Sequence, residues 1–452
     1  MSHIKPDNAA QLEEAVQWAL AQEETLEVLG SGSKKSLGRK VVCDHKLDLS
    51  SLTGITLYEP EELVLSARAG TPLKEIEAAL AEHNQYMAFE PLDYSTLFSG
   101  FSGSLLTGKS SAGKINAKKS NVEKPNAGIS NSGTIGGVIA CNLSGPRRIK
   151  AGAARDHFLG FSAVSGRGET FKSGGRVVKN VTGYDLMKLM AGSYGTLGVM
   201  SDITIKVLPA PNEEKTYLLH GLTDAQAMEA MKQALNSSCE ISSAAHIPKT
   251  LAATMAELNT DQATTAFRLE GHGPSVIYRA EKLESLLKDF GSGLLIERGD
   301  SRTLWRSLRD GAPLAGNPDH SVWRISVPPK SGSAYIESLN LENLRGGDGA
   351  RYFYDWGGGL IWLSLPGGDN ATLLRSNLNN SALEHITGHA TLLTSPLGVS
   401  GGASPEGASV NWSDQDVPNH PLGTGEHLLM CRVKENFDPK AILNPGRMFS
   451  DL

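Results

Sequence analysis

Apolar positions along this chain follow two rhythms. Leu12, Ala15, Val16, Ala19 and Leu20 recur at helical spacing after Asp7, which predicts an N-terminal helix capped by that aspartate. Leu26 to Leu29 is short, apolar and strand-like, and it runs into Gly30-Ser31-Gly32-Ser33-Lys34. A strand follows at Leu63 to Ala67. Thr71-Pro72 then opens a helix with Leu73, Ile76 and Leu80 on one face. Ile203, Ile205 and Val207 alternate as in a half-buried strand and are closed by Pro209 and Pro211.

Beyond Pro209 to Glu214, a predicted domain boundary, the texture changes. Strand candidates at Thr216–His220, Ala266–Gly271, Gly293–Glu297, Val322–Val327, Tyr352–Trp356, Leu360–Leu365 and Ala390–Thr394 alternate with helix candidates at Ala225–Leu235 and Ser275–Phe290. That order predicts an α+β unit on an antiparallel sheet, ending in a helix at Gly425–Asn436. Residues 95–132 are rich in Ser, Gly, Lys and Asn, with no apolar period from Lys109 to Ser132. They are expected to form a long mobile loop.

Composition narrows the class. A chain of 452 residues exceeds one ordinary core and implies two or three domains. With 40% hydrophobic and 20% charged residues and a net charge of −6, it is a folded protein with no basic excess for nucleic acid. No run approaches the roughly 18 apolar residues of a spanning helix. The N-terminus, with Lys5, Asp7, Glu13 and Glu14, has no signal-peptide core. Cys43, Cys141, Cys239 and Cys431 are scattered, so neither a disulfide framework nor a zinc or iron–sulfur site is indicated. The expectation is a cytoplasmic, metal-free chain, or one held peripherally at the inner membrane by partner subunits. An iron–sulfur cluster that accepted its electrons would belong to another polypeptide.

Three motifs are decoys. Gly103 to Ser110 matches the phosphate-loop pattern, but serines and glycines precede it and no amphipathic helix follows. Gly30-Ser31-Gly32 begins a dinucleotide fingerprint whose third glycine falls on Lys35. His385 and His389 have helical ligand spacing in a segment that reads as strand, which makes them structural. More specific are two glycine-rich stretches, Gly30–Lys34 and Gly133-Thr134-Ile135-Gly136-Gly137. Their backbone N–H groups can approach an anion closely, either as a pyrophosphate clasp or simply as two tight turns.

The run from Gly133 through Asn142, Gly145, Gly152 and Asp156 to Gly160 resembles the vanillyl-alcohol-oxidase (PCMH-type) family of FAD-binding flavoproteins. So do Gly174 to Leu186, Gly192 to Val199, Val322 to Pro328, Tyr354 to Gly359 and Asn444-Pro-Gly-Arg-Met. The resemblance covers nearly the whole chain. It implies a PCMH-type FAD-binding domain of two α+β subdomains at 1–210. It also implies a C-terminal α+β cap domain at 211–452 with an antiparallel sheet over the flavin ring, and a segment 425–452 that returns towards the FAD domain. Gly30, Ser31, Gly32, Ser33 and Lys34 would form the first pyrophosphate loop, and Gly133, Thr134, Ile135, Gly136 and Gly137 the second. Asn142, Gly145, Gly152 and Ala153 would lie along the FAD, and Gly198 and Val199 at its adenine end. A tethered flavin in this family is held by His or Cys. The first loop offers neither, so the expected cofactor is non-covalent FAD.

Two departures from the family stand out. A loop insertion at about 97–132 precedes the second loop. The histidine-rich metal motif of the family's 2-hydroxy-acid dehydrogenases is absent, since Gly347-Asp348-Gly349 and Gly368-Asp369-Asn370 have no neighbouring histidine. Oxidation of a 2-hydroxy acid needs a base, a cation for the carboxylate and a hydride acceptor. No base is visible, and Arg324 is the one candidate cation. The resemblance therefore implies a FAD-binding subunit of a complex that oxidises glycolate or another small 2-hydroxy acid. Its partners would be a sister FAD subunit with a metal site and an iron–sulfur subunit. A self-sufficient FAD-dependent dehydrogenase and a flavin-free assembly subunit are the alternatives.

Overall fold

The computed structural model describes residues 2–97, 133–175, 184–341, 349–367, 370–378, 386–394 and 419–452. The phosphate-loop pattern at 103–110, the insertion beyond Leu97, residues 176–183 of the family motif, His385, Gly347-Asp348 and Gly368-Asp369 lie outside them.

Helix Ala9–Gln22 buries Leu12, Ala15, Val16 and Ala19. Its cap is Asn8, not Asp7: the Asn8 side chain accepts from the Gln11 amide at 3.0 Å, one residue later than the sequence suggests. The helix packs beside a parallel three-stranded sheet in the order His3–Ile4, His45–Asp48, Leu26–Leu29. An antiparallel five-stranded sheet follows, in the order Ile55–Glu59, Val64–Arg68, Val199–Lys206, Phe158–Val164, Thr170–Gly174.

Past Pro211 the chain builds an eight-stranded antiparallel sheet in the order Gly293–Ile296, Glu213–His220, Thr264–Gly271, Ser243–Ile247, Arg351–Asp355, Leu360–Pro366, His320–Ser326, His389–Thr394. Side chains alternate across it. Trp323, Ile325, Tyr354, Ile361 and Leu363 pack into one core with helices Asp224–Leu235 and Gly273–Leu287. Val322, Phe353, Trp362 and Leu393 point the other way, into the core they share with the first two sheets. Arg324 lies on this inner face, two residues from Val322 on the same strand.

Among the elements that were not predicted, two show why. Strand Ser243–Ile247 is buried at every position, so it shows no apolar alternation. Helix Arg298–Arg309 carries four arginines and buries only Ser301, Leu304, Trp305 and Leu308. A third element differs in kind: the second glycine stretch is mostly not loop, because Ile135–Cys141 is helical from Thr134 onward.

Helix Thr424–Phe437 brings the C-terminus back to the first sheet. Lys434, buried, is hydrogen-bonded to Asp438 at 2.6 Å, the Thr196 carbonyl at 2.8 Å and the Leu443 carbonyl at 2.9 Å. Leu443 then bridges Leu26. Asn444 accepts from the Val28 amide at 2.8 Å and donates to the Tyr194 carbonyl at 2.8 Å.

Candidate functional site

Strand Leu26–Leu29 ends where glycine lets the chain turn against the start of helix Ile135–Cys141. The contact is close: a Cβ on Gly30 would lie 2.4 Å from Thr134 Oγ1. Thr134 caps the helix by accepting from the Gly137 amide at 3.3 Å. Between the two segments lies Lys34, 9% exposed, whose ammonium is 3.1 Å from Ser33 Oγ. Gly133 faces that ammonium and turns at a φ of +90°, a conformation that favours glycine. Burial pushes the Lys34 pKa down. No carboxylate among the described residues forms an ion pair with it. A buried amine without a counter-ion resists protonation, and an anion placed beside it would favour its charged form.

Two adjoining clefts open here, each with about 70 Å³ of space for water-sized groups. The first is lined by Gly30, Ser31, Gly32, Ser33, Lys34, Thr134 and Gly137, with Cys141, Tyr194, Asn444 and Arg447. The second adds Gly136, Gly198 and Val199, with Leu49, Ala69 and Met200. Ten of the proposed cofactor residues thus border one continuous region. Gly133 sits behind Lys34, and Ile135 is turned into the core.

Four others lie elsewhere. Asn142 accepts from the Arg155 amide, Gly145 donates to the Phe89 carbonyl, Gly152 turns at a φ of +90°, and Ala153 is buried beside Asp156. None of these four lines either cleft.

Several site residues were missed in the sequence. Arg447, 8% exposed, donates to the Lys34 carbonyl at 3.0 Å, and burial depresses its pKa. Asn444, on the same segment, and Tyr194, from a distant part of the chain, join it. Cys141 faces the same cleft; burial raises its thiol pKa, which Lys34 and Arg447 only partly oppose.

The inner face of the large sheet carries a second constellation. Arg324 pairs across strands with Trp362 on one side and Thr391 on the other. Its guanidinium lies 5.2 Å from the Trp362 ring and 5.4 Å from the Trp356 ring, and its Nε is buried without a hydrogen-bond partner. Arg148 approaches the Trp356 ring at 4.3 Å. Neither arginine forms an ion pair with a carboxylate among the described residues. His389 pairs with Ser326, two positions from Thr391, so it shares the face of Arg324. Burial lowers its pKa, and the charges of Arg324 and Arg148 lower it further, leaving a neutral imidazole. His389 lies on a strand, as its sequence context predicts, so it has no helical ligand spacing; its place beside Arg324 comes from sheet register. Asp355 is buried nearby, and burial lifts its carboxyl to about 7 against a 2.7 Å hydrogen bond from the Trp356 amide.

The two constellations adjoin. Arg324's charge reaches Tyr94 and Tyr194, and Tyr194 also feels Cys141 and Arg447 in the first cleft. Such an arrangement can hold a polyanionic cofactor at one end. At the other it offers two cations and a neutral proton acceptor to a small carboxylate.

Comparison with known proteins shows what the chain is similar to. The FAD binding domain family model matches residues 3–117. Glycolate oxidase subunit GlcE of Escherichia coli strain K12 is 30% identical over 449 residues, 99% of each chain. Glycolate oxidase subunit GlcD of Bacillus subtilis strain 168 is 42% identical over 95 residues, 21% of this chain and 20% of that one. Among solved structures, p-cresol methylhydroxylase with substrate bound superposes with a TM-score of 0.63 at 12% identity, covering 99% of this chain and 88% of that one. The last likeness establishes the fold alone.

Proposed function

Because the chain belongs to the family of the glycolate oxidase subunit GlcE, an FAD-linked oxidoreductase family, we propose that it is the FAD-binding subunit of a complex that oxidises glycolate or a similar 2-hydroxy acid. The observation that carries the reading is the buried Lys34 ammonium, which no carboxylate among the described residues pairs, between two glycine-rich segments. Lys34, Arg447 and the amides of Gly30–Lys34 would hold FAD. Bound there, FAD supplies the hydride acceptor. The chain's own share is to bind and orient that cofactor and to shield it with the cap sheet. Its partners would be a sister flavin subunit with a metal site and an iron–sulfur subunit.

The test is steady-state turnover of glycolate with an artificial acceptor at matched flavin content, for the chain alone and for the complex purified from its host. Negligible turnover by the flavin-loaded chain alone is expected. Comparable rates would overturn the subunit reading.

A second reading, that this chain itself oxidises the hydroxy acid, is favoured by one observation: Arg324 and Arg148 flank Trp356 without a counter-ion, beside a neutral His389. The arginines would take the carboxylate and His389 the hydroxyl proton. Arg324→Met separates the two. Loss of a charge-assisted hydrogen bond of about 1.5–3 kcal/mol would weaken substrate binding about 10- to 100-fold. An unchanged KM would place the substrate on a partner.

A further inference from the structure

The last helix and the chain's final residues bring together three metal-ligating side chains that the function above does not use. His427 and Cys431 are four residues apart on helix Thr424–Phe437 and share one face. Asp451 folds back against them, its Oδ2 2.9 Å from His427 Nε2. Cys431 Sγ lies 3.7 Å from Nδ1 and 3.9 Å from Nε2 of the same ring. One ligand atom from each residue lies within 4.8 Å of the other two.

These separations are close to what a cation requires. Bonds of about 2.0–2.3 Å to N, O and S in a tetrahedron set neighbouring ligand atoms roughly 3.3–3.8 Å apart. The observed 2.9 and 3.9 Å need shifts of a few tenths of an ångström, and the Asp451–Cys431 pair, within 4.8 Å, a shift of up to about 1 Å, on side chains that are partly exposed. Thiolate, imidazole and carboxylate together suit zinc or a similar borderline ion, not the oxygen-seeking magnesium or calcium. An ion pair of His427 with Asp451 would explain their own contact, but it places no demand on Cys431.

The position gives such a site a consequence. The Leu452 carbonyl, next to Asp451, accepts from the Gly446 amide at 2.6 Å. Gly446 stands between Asn444 and Arg447, both of which line the first cleft. We propose that His427, Cys431 and Asp451 bind a zinc-type divalent cation that ties the C-terminal tail to the last helix, behind the segment carrying Asn444 and Arg447. The fourth coordination position is left to water.

The experiment needs neither flavin nor turnover. Full-length protein is stripped with a chelator and titrated with Zn²⁺ by calorimetry. Carboxypeptidase release of Leu452 and Asp451 is followed with and without Zn²⁺. One equivalent should bind with a Kd below about 10 μM, equivalent to roughly 7 kcal/mol. The metal should also slow release of the tail and raise the melting temperature by mass action. Cys431→Ser, His427→Gln and Asp451→Asn should each weaken binding at least tenfold while leaving the metal-free melting temperature in place. No binding, binding that survives Cys431→Ser and His427→Gln unchanged, or binding that leaves tail release unaltered would overturn the proposal.

Discussion

Gly137 offers the cleanest perturbation of the cofactor cleft. It lies in the first turn of helix Ile135–Cys141 and borders both clefts. A Cβ there would meet Lys34 Cδ and Thr134 Oγ1 at 3.5 Å each, ordinary contacts that the flavin-free protein can accept. Gly136 behaves differently: its Cβ would come 2.7 Å from the Ala69 carbonyl oxygen, so substitution there damages packing before it tests binding. Gly137→Ala should therefore leave the flavin-free melting temperature unchanged or slightly higher, since alanine is preferred in a helix by about 1 kcal/mol. The same methyl occupies space that a closely held pyrophosphate would use. Overlap in a well-packed site costs about 1–3 kcal/mol, which predicts FAD binding weaker by roughly 5- to 150-fold.

The assay is flavin-fluorescence titration of deflavinated protein, paired with thermal denaturation with and without FAD. Saturation at 100 times Kd stabilises the wild type by about 2.7 kcal/mol, and a variant weakened a hundredfold loses most of that at the same FAD concentration. Wild-type FAD affinity in Gly137→Ala would refute the cleft assignment. A lower melting temperature without flavin would refute the claim that this position has room.

Three further outcomes are expected. Lys34→Met should leave the flavin-free protein at least as stable, since it removes a buried unpaired charge, and should weaken FAD binding about 10- to 100-fold by fluorescence titration; unchanged affinity would rule out an ionic role. Burial raises the Asp355 carboxyl from 3.8 to about 7, so its contribution to stability is present below its unfolded value and lost as pH rises through about 7. Asp355→Asn, which can still accept from the Trp356 amide, should flatten the fall of melting temperature between those two values, and parallel curves for the two proteins would contradict this. Acid precipitation should release the flavin into the supernatant, because burial keeps the Cys141 thiol protonated and a poor nucleophile; yellow protein in the pellet would show a covalent link.

The sequence reveals what local chemistry dictates and hides what distance assembles. The large sheet was legible because most of its strands are aliphatic runs between turn residues. Strand Ser243–Ile247, made of Ser, Ala, Ala, His and Ile, is held by neighbours on both sides and carries no such signal. The glycine stretches were legible because close backbone approach to an anion demands glycine. Their partner Asn444 meets Val28 across 416 residues, a contact that no local pattern records. His389 gains meaning only from sheet register, which sets it on the face of Arg324.

Two neighbouring arginines show why the fold must be known before the function can be argued. Arg147 and Arg148 are indistinguishable in sequence, and both approach the cap sheet. Arg147 is saturated: it hydrogen-bonds Glu270 at 2.9 and 3.0 Å and Glu90 at 2.5 Å, while Arg268 takes Glu90 at 2.9 and 3.0 Å. Burial alone would push Glu270 up, yet Arg268 and Arg147 hold it at about 2. That network is complete, and removing any member would leave a buried charge uncompensated, so its role is to join the sheets. Arg148 and Arg324, half-buried, and Lys34, buried, have no such carboxylate partners among the described residues. Keeping such charges desolvated and unpaired costs stability that packing alone does not return. On the proposed function, that cost would be recovered when anions bind, a pyrophosphate at Lys34 and a carboxylate between the arginines. The distribution of counter-ions, invisible in the sequence, thus divides the buried cations into those that hold the fold and those that await ligands.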